Sequence, residues 1–279
     1  NGKELKSNPY SWNKVANVIY LESPAGVGFS YSENPSVDYN QLNDDKTAAD
    51  VYNFLVEFFK KYPQFRANPF FVSGESYAGH YVPTTSFAVH TGNLAGKNPK
   101  INLQGFLVGN GVTDGETDTN SIPPFMYNHA LLSAADYQAG INACRGNFYK
   151  NQNDPVCANA LSNFFNIITG VNPYYLYGEC LGDKGPFATR KSSISRTHPL
   201  FNLWRLAGQP GSNGGAPCLD ASPETKYLNT PEVKAAIHAR QDIEWQFCND
   251  QINNAYNRTY DSMIPFYEKL LQAGIRAVV

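Results

Sequence analysis

The run Phe70-Phe71-Val72-Ser73, followed without a loop by Gly74-Glu75-Ser76-Tyr77-Ala78-Gly79, constrains this chain more than any other feature. A short apolar run bounded by glycine reads as a strand, and the residues from about Tyr77 to His90 read as a helix. A strand that turns straight into a helix needs residues without a Cβ on both sides of the turn, because side chains there would meet neighbouring backbone. In that geometry Ser76 projects its hydroxyl above the sheet edge. The Tyr77 N–H then lies at a helix N-terminus, where it can stabilise an oxyanion. With 22 Gly in 279 residues, chance yields roughly 0.1 matches to G-x-S-x-G, so the strand and helix on either side carry more weight than the pattern.

The surrounding chain agrees with a parallel sheet covered by helices. Over the first 113 residues strand and helix signals alternate. Val15 to Leu21 reads as a buried strand. Lys46 to Tyr62 carries Val51, Phe54, Leu55, Phe58 and Phe59 at helical spacing, with Asp44 or Asp45 as cap and Pro63 as terminator. Leu103 to Val108 is the next strand, ending in Gly109-Asn110-Gly111. From Asp114 to about Lys226 the alternation stops. Residues 122–143 and 157–169 have helical stretches, whereas 182–215 is rich in breakers, and 209–215 reads as an exposed loop open to proteolytic nicking. The rhythm then returns. Thr230 caps a helix through Ala239 with Pro231 at its first position, Ser262 to Gln272 forms another closed by Gly274, and Ile275 to Val279 reads as a strand. The expected organisation is a core of residues 1–113 and 227–279 interrupted by an inserted cap, 114–226. The sequence stops where α/β folds place functional loops, so it reads as a piece of a longer protein.

Composition removes several function classes. The 22 Lys+Arg against 24 Asp+Glu give a net charge of −2, which argues against an electrostatic nucleic-acid binder. No apolar run has the ~18 residues of a membrane span, and Asn1-Gly2-Lys3-Glu4 lacks signal-peptide character. The five cysteines Cys144, Cys157, Cys180, Cys218 and Cys248 show no C-x-x-C spacing, against zinc or thioredoxin-type chemistry. Buried free thiols remain an alternative, but four cysteines fall where Gly, Pro and Asn make a core hardest to build, so disulfides with one cysteine left over are favoured. Asn257-Arg258-Thr259 is the sole proline-free glycosylation sequon. Nothing suggests a metal or nucleotide cofactor.

A serine hydroxyl needs a base to accept its proton and a group to orient that base. In a strand-turn-helix setting the order along the chain is serine, acid, histidine. His80 lies on the helix leaving the turn, His90 and His129 precede the expected acid, His198 falls in the insertion and His238 sits on a helix. None is assigned as the base.

Four motifs in register resemble the serine carboxypeptidases, close to lysosomal cathepsin A-like and plant vacuolar members, over essentially the whole chain. They are Asn8-Pro9-Tyr10-Ser11-Trp12-Asn13, the run from Leu21 to Ser32, Gly74 to Gly79, and Val108-Gly109-Asn110-Gly111. The resemblance implies an α/β-hydrolase fold with an inserted cap, truncated at both ends. It implies Ser76 as nucleophile, Tyr77 N–H as one oxyanion donor, and Glu75 as a group that holds the substrate's C-terminal carboxylate. An ionised glutamate repels a carboxylate and a protonated one donates to it, so binding is expected to favour acidic pH. Val112 resembles a side-chain pocket residue, with Phe125 or Tyr127 as further candidates. The loop from Pro24 to Phe29 reads equally as site or scaffold.

The same resemblance implies disulfides Cys144–Cys157 and Cys180–Cys218. Cys248 would pair with a cysteine beside the family's W-x-N-G-G-P-G-C motif, which these residues do not contain and which supplies the second oxyanion donor. With the acid and histidine also expected outside residues 1–279, this piece alone is expected to be inactive. The region 196–215 corresponds to where lysosomal members are trimmed. The expected activity is removal of C-terminal residues from peptides through an acyl-enzyme. The alternatives are acyl transfer from glucose esters and an inert homologue or fragment with a binding role. Expected partners are peptide C-termini, without nucleic acid or membrane. A homodimer and a segment disulfide-linked through Cys248 are further expectations, and the location is lysosome, vacuole or secreted.

Overall fold

A computed structural model describes residues 2–97, 99–168, 171–172, 174–178 and 220–279. They fall into two units. The first is described over residues 2–42 and 220–257, and the second over the described part of 43–178 with 258–279. Cys180, His198, Cys218 and the expected loop of 182–215 lie outside the described residues.

The second unit holds a three-stranded parallel sheet, β1 (Phe70–Glu75), β2 (Leu103–Gly109) and β3 (Arg276–Val278), in the order β1-β2-β3. Helix α1 (Asp44–Lys61) precedes β1 and α2 (Ala78–Leu94) crosses from β1 to β2. The apolar positions of α1 do what their spacing requires: Leu55 and Phe59 are buried with Tyr52, Val89 and Ile101. Val82 of α2 packs with Phe106 and Val108 of β2, with Leu270 of the last helix (Ile264–Gln272), and with Ile275 just before β3. The cap of α1 is Asn43, one residue earlier than expected. Its extended backbone lets the side chain accept from Lys46 N–H at 2.8 Å, while Asp44 already lies inside the first turn and is fully buried.

Between β2 and β3 lie α3 (Gly115–Asn128), α4 (Ala134–Ala143), a single turn at Phe148–Asn151 and α5 (Pro155–Ile167). The final helix, Ile264–Gln272, is α6 and ends at Gly274, whose φ of +77° is the left-handed conformation a helix C-terminus favours. Leu161 and Phe164 of α5, Met126 of α3 and Phe148 gather around the Cys144–Cys157 disulfide.

In the first unit the expected strand from Val15 to Leu21 is absent. The segment lies open, with Val15 90% and Tyr20 80% exposed. A strand persists only where a neighbour completes its hydrogen bonds, and the sheet of the described residues takes none of its strands from this unit. The helix begun by Thr230 is also shorter than expected, Pro231–Ala236. Thr230 Oγ1 donates to Tyr227 O instead of capping, and His238 at φ +57° turns the chain out so that Ala239 N–H closes on Lys234 O.

Candidate active site

Ser76 sits between the end of β1 and the start of α2 with φ +60°, a left-handed conformation that non-glycine residues rarely adopt. Three backbone hydrogen bonds hold it there. Its N–H donates to Gly109 O at 3.0 Å, and its carbonyl accepts from Gly79 N–H at 3.0 Å and Val112 N–H at 2.9 Å. The loop after β2 therefore runs directly against the turn. Space is the reason for the two glycines. A Cβ on Gly79 would lie 2.2 Å from Val112 O, and one on Gly74 would lie 2.4 Å from the Ala78 Cβ. Any side chain at Gly79 would push the Val112 backbone away from the serine it is bonded to.

Tyr77 is the N-cap residue of α2. Its N–H belongs to the end of the helix where donors and the positive pole of the dipole converge, which is the electrostatic requirement for holding a developing oxyanion. Its phenol makes a different set of contacts, donating to Asp44 Oδ1 at 2.9 Å. The ring stacks on His80 with centroids 4.8 Å apart, meets Tyr81 edge-on, and lies under the Arg258 guanidinium at 5.6 Å. Burial, and then the charge and hydrogen bond of Asp44, push the Tyr77 hydroxyl far above its ordinary range, so it stays protonated and remains a donor.

Glu75 ends β1 opposite Gly109 and is exposed, and Val112 is half-buried beside the turn. Phe125 and Tyr127 are exposed, Phe125 stacking on His129 and Tyr127 on Tyr137. His80 is buried with Nδ1 3.9 Å from Asp44 Oδ2, and His129 Nδ1 contacts Phe125 O at 2.9 Å. His90 lies near the far end of α2. Among the described residues no histidine hydrogen-bonds the Ser76 hydroxyl.

The glycine loop and Asn257 belong to the first unit. Glu22 Oε2 accepts from Phe29 N–H at 2.5 Å and Oε1 from the Trp245 indole at 2.7 Å, while Gly26 O accepts from the Asn249 amide at 2.7 Å. These bonds favour the scaffold reading of the loop. Asn257 is exposed. Cys248 is a free thiol, half-buried, and burial raises its pKa ahead of the nearby Asp250. Among the described residues no cluster of three or more His, Cys, Asp or Glu could hold a metal, and no helix is long and apolar enough to cross a membrane.

The residues that sequence reasoning missed are Asp44 as a buried acceptor, Thr259 as its donor, and Arg258 over the Tyr77 ring. Thr259 N–H donates to Asp44 Oδ2 at 2.7 Å. An aspartate at a helix start gives no signal that separates a solvated first-turn acid from one buried under a distant loop.

A serine at left-handed φ between a parallel strand and a helix, with a helix N-terminal amide beside it, is the strand-turn-helix geometry of an α/β-hydrolase fold. The serine carboxypeptidase family model matches residues 1–279, and the chain belongs to that family. It is 38% identical to serine carboxypeptidase-like 21 of Arabidopsis thaliana, covering 100% of this chain and 62% of that protein. Serine carboxypeptidase 1 of Hordeum vulgare is 36% identical, with 99% and 60% covered. The lysosomal protective protein of Mus musculus is 37% identical, with 98% and 59% covered. The chain thus spans about three fifths of the length of these relatives. Among solved structures, that of Kex1Δp, a prohormone-processing carboxypeptidase from Saccharomyces cerevisiae, superposes with a TM-score of 0.64 at 21% identity, covering 92% of this chain and 54% of the other. That likeness establishes the fold.

Proposed function

We propose that this chain carries the nucleophile of a serine carboxypeptidase that releases C-terminal residues from peptides at acidic pH. The observation that carries the reading is Ser76 at φ +60° with the Tyr77 N–H beside it at the start of α2. Ser76 Oγ attacks the last peptide carbonyl and forms an acyl-enzyme, Tyr77 N–H steadies the oxyanion, and the amine of the terminal residue leaves with a proton. Glu75 reads the substrate's free carboxylate from the end of β1, and Val112 borders the side chain on the acyl side. The histidine that takes the serine proton, and the acid that orients it, are assigned to the longer protein. The relatives' names favour peptide hydrolysis over acyl transfer. The Cys144–Cys157 disulfide suits an oxidising location, lysosomal, vacuolar or secreted, and Cys248 is assigned to a disulfide with a segment outside residues 1–279.

Fluorophosphonate labelling of the full-length protein at mildly acidic pH, followed by peptide mapping, tests the reading. One label per chain on Ser76, abolished in Ser76→Ala, is the expected result. No label, or label at another serine, overturns it.

A further inference from the structure

The phenol of Tyr77 makes contacts that the chemistry above does not use. Its backbone N–H is the proposed oxyanion donor, yet its side chain reaches Asp44, an acid with no solvent exposure, on the helix before β1. Asp44 Oδ1 accepts from the Tyr77 hydroxyl at 2.9 Å and Oδ2 from the Thr259 N–H at 2.7 Å, with His80 Nδ1 3.9 Å from Oδ2. The ring is also held on its faces and edge by His80, Tyr81 and Arg258. Tyr77 is therefore clamped from α1, from its own helix and from the segment entering α6. A buried acid under the residue that follows the nucleophile costs free energy, and one bonded to two backbone and side-chain donors in distant segments fixes their mutual position.

We propose that Asp44 is a positioning residue for the reaction: through the Tyr77 phenol it sets the orientation of the Tyr77 N–H toward the oxyanion, without touching substrate. This rests on the reading of Ser76 and Tyr77 given above. The effect belongs to the transition state, because an oxyanion donor gains strength only as the carbonyl oxygen gains charge. Loosening the clamp lowers kcat and leaves KM in place.

The experiment uses the full-length protein and a blocked dipeptide substrate. Ser76→Ala comes first. Loss of turnover supports the underlying reading, and retained turnover overturns that reading itself, independently of Asp44. Tyr77→Phe keeps the ring and the backbone N–H and removes only the hydroxyl, and it is expected to lower kcat about 10-fold with KM within about twofold. Asp44→Ala lowers kcat at least as far, and Asp44→Asn, whose amide oxygen still accepts, recovers most of the loss. The double variant Asp44→Ala with Tyr77→Phe is no slower than the worse single variant, since both break one link. A contact that only stabilises the fold would lower Tm in each variant and leave kcat alone. Unchanged kcat in Tyr77→Phe, or multiplicative losses in the double variant, overturns the proposal. Should Asp44→Ala fail to fold, the kcat of Tyr77→Phe decides.

Discussion

Replacing Gly79 by alanine tests whether the turn at Ser76 is set by space. The added Cβ would lie 2.2 Å from Val112 O, 2.7 Å from Val112 N and 2.8 Å from Val112 C. All three are backbone atoms, so no side-chain rotation relieves the clash. Overpacking of this kind costs about 1–3 kcal/mol. Moving Val112 also strains its N–H bond to Ser76 O, now 2.9 Å, worth about 1 kcal/mol net. The sum, about 3 kcal/mol, corresponds to a fall in Tm of about 6–12 °C for a chain of this size.

Gly109→Ala supplies the comparison. Gly109 lies across the sheet from Glu75, and its added Cβ would meet nothing closer than 3.9 Å. That variant is expected to stay within about 1 kcal/mol of the parent. Both variants are measured by thermal unfolding monitored by far-ultraviolet circular dichroism, and by fluorophosphonate labelling rate in the full-length protein. Gly79→Ala should lose stability and label more slowly, because displacing Val112 breaks the bond from its N–H to Ser76 O that helps hold Ser76 in its left-handed conformation. Equal Tm values for the two alanine variants would refute the steric argument, and with it the physical reason given for the glycine after the serine.

Further outcomes follow from other parts of the structure. Opening the Cys144–Cys157 link, which closes a loop of sequence separation 13, should cost about 3 kcal/mol by the loop-entropy relation, read as a Tm drop in the paired Cys144→Ala, Cys157→Ala variant. Glu75→Ala removes the side chain proposed to hold the substrate carboxylate and should raise KM several-fold with little change in kcat; an unchanged KM removes Glu75 from that role. Tyr77 has a folded pKa above the ordinary 10.0, so its contribution is fully present below pH 10 and is lost as pH rises beyond it. Tyr77→Phe should therefore make alkaline unfolding less steep, by up to about 1.4 kcal/mol per pH unit, in a denaturant series from pH 9 to 11.

The parts of this fold legible in the sequence are those fixed by neighbours a few residues away. The spacing of Leu55 and Phe59 marks α1, and Phe70 to Ser73 running into glycine marks β1, because each pattern reports a face that must be buried locally. The turn at Ser76 is legible for the same reason, since its steric demand falls on Gly74 and Gly79, two residues before the serine and three after. Val15 to Leu21 misled because an apolar run states that a segment can be buried, not that a partner strand lies beside it; the run is exposed instead. Asp44 was read only as a cap candidate. Its partners stand 33 and 215 residues away, and nothing in the local pattern carries that distance.

The two residues at the centre of the proposed chemistry are consequently fixed by different physics. Ser76 is held by backbone bonds and by the room that two glycines leave, terms that pH and salt barely change. Tyr77 is held by a buried carboxylate at its hydroxyl and by a histidine ring and a guanidinium at its ring, groups carried on different segments of the chain. Loosening of any one of those segments should therefore reach the proposed oxyanion donor before it reaches the proposed nucleophile.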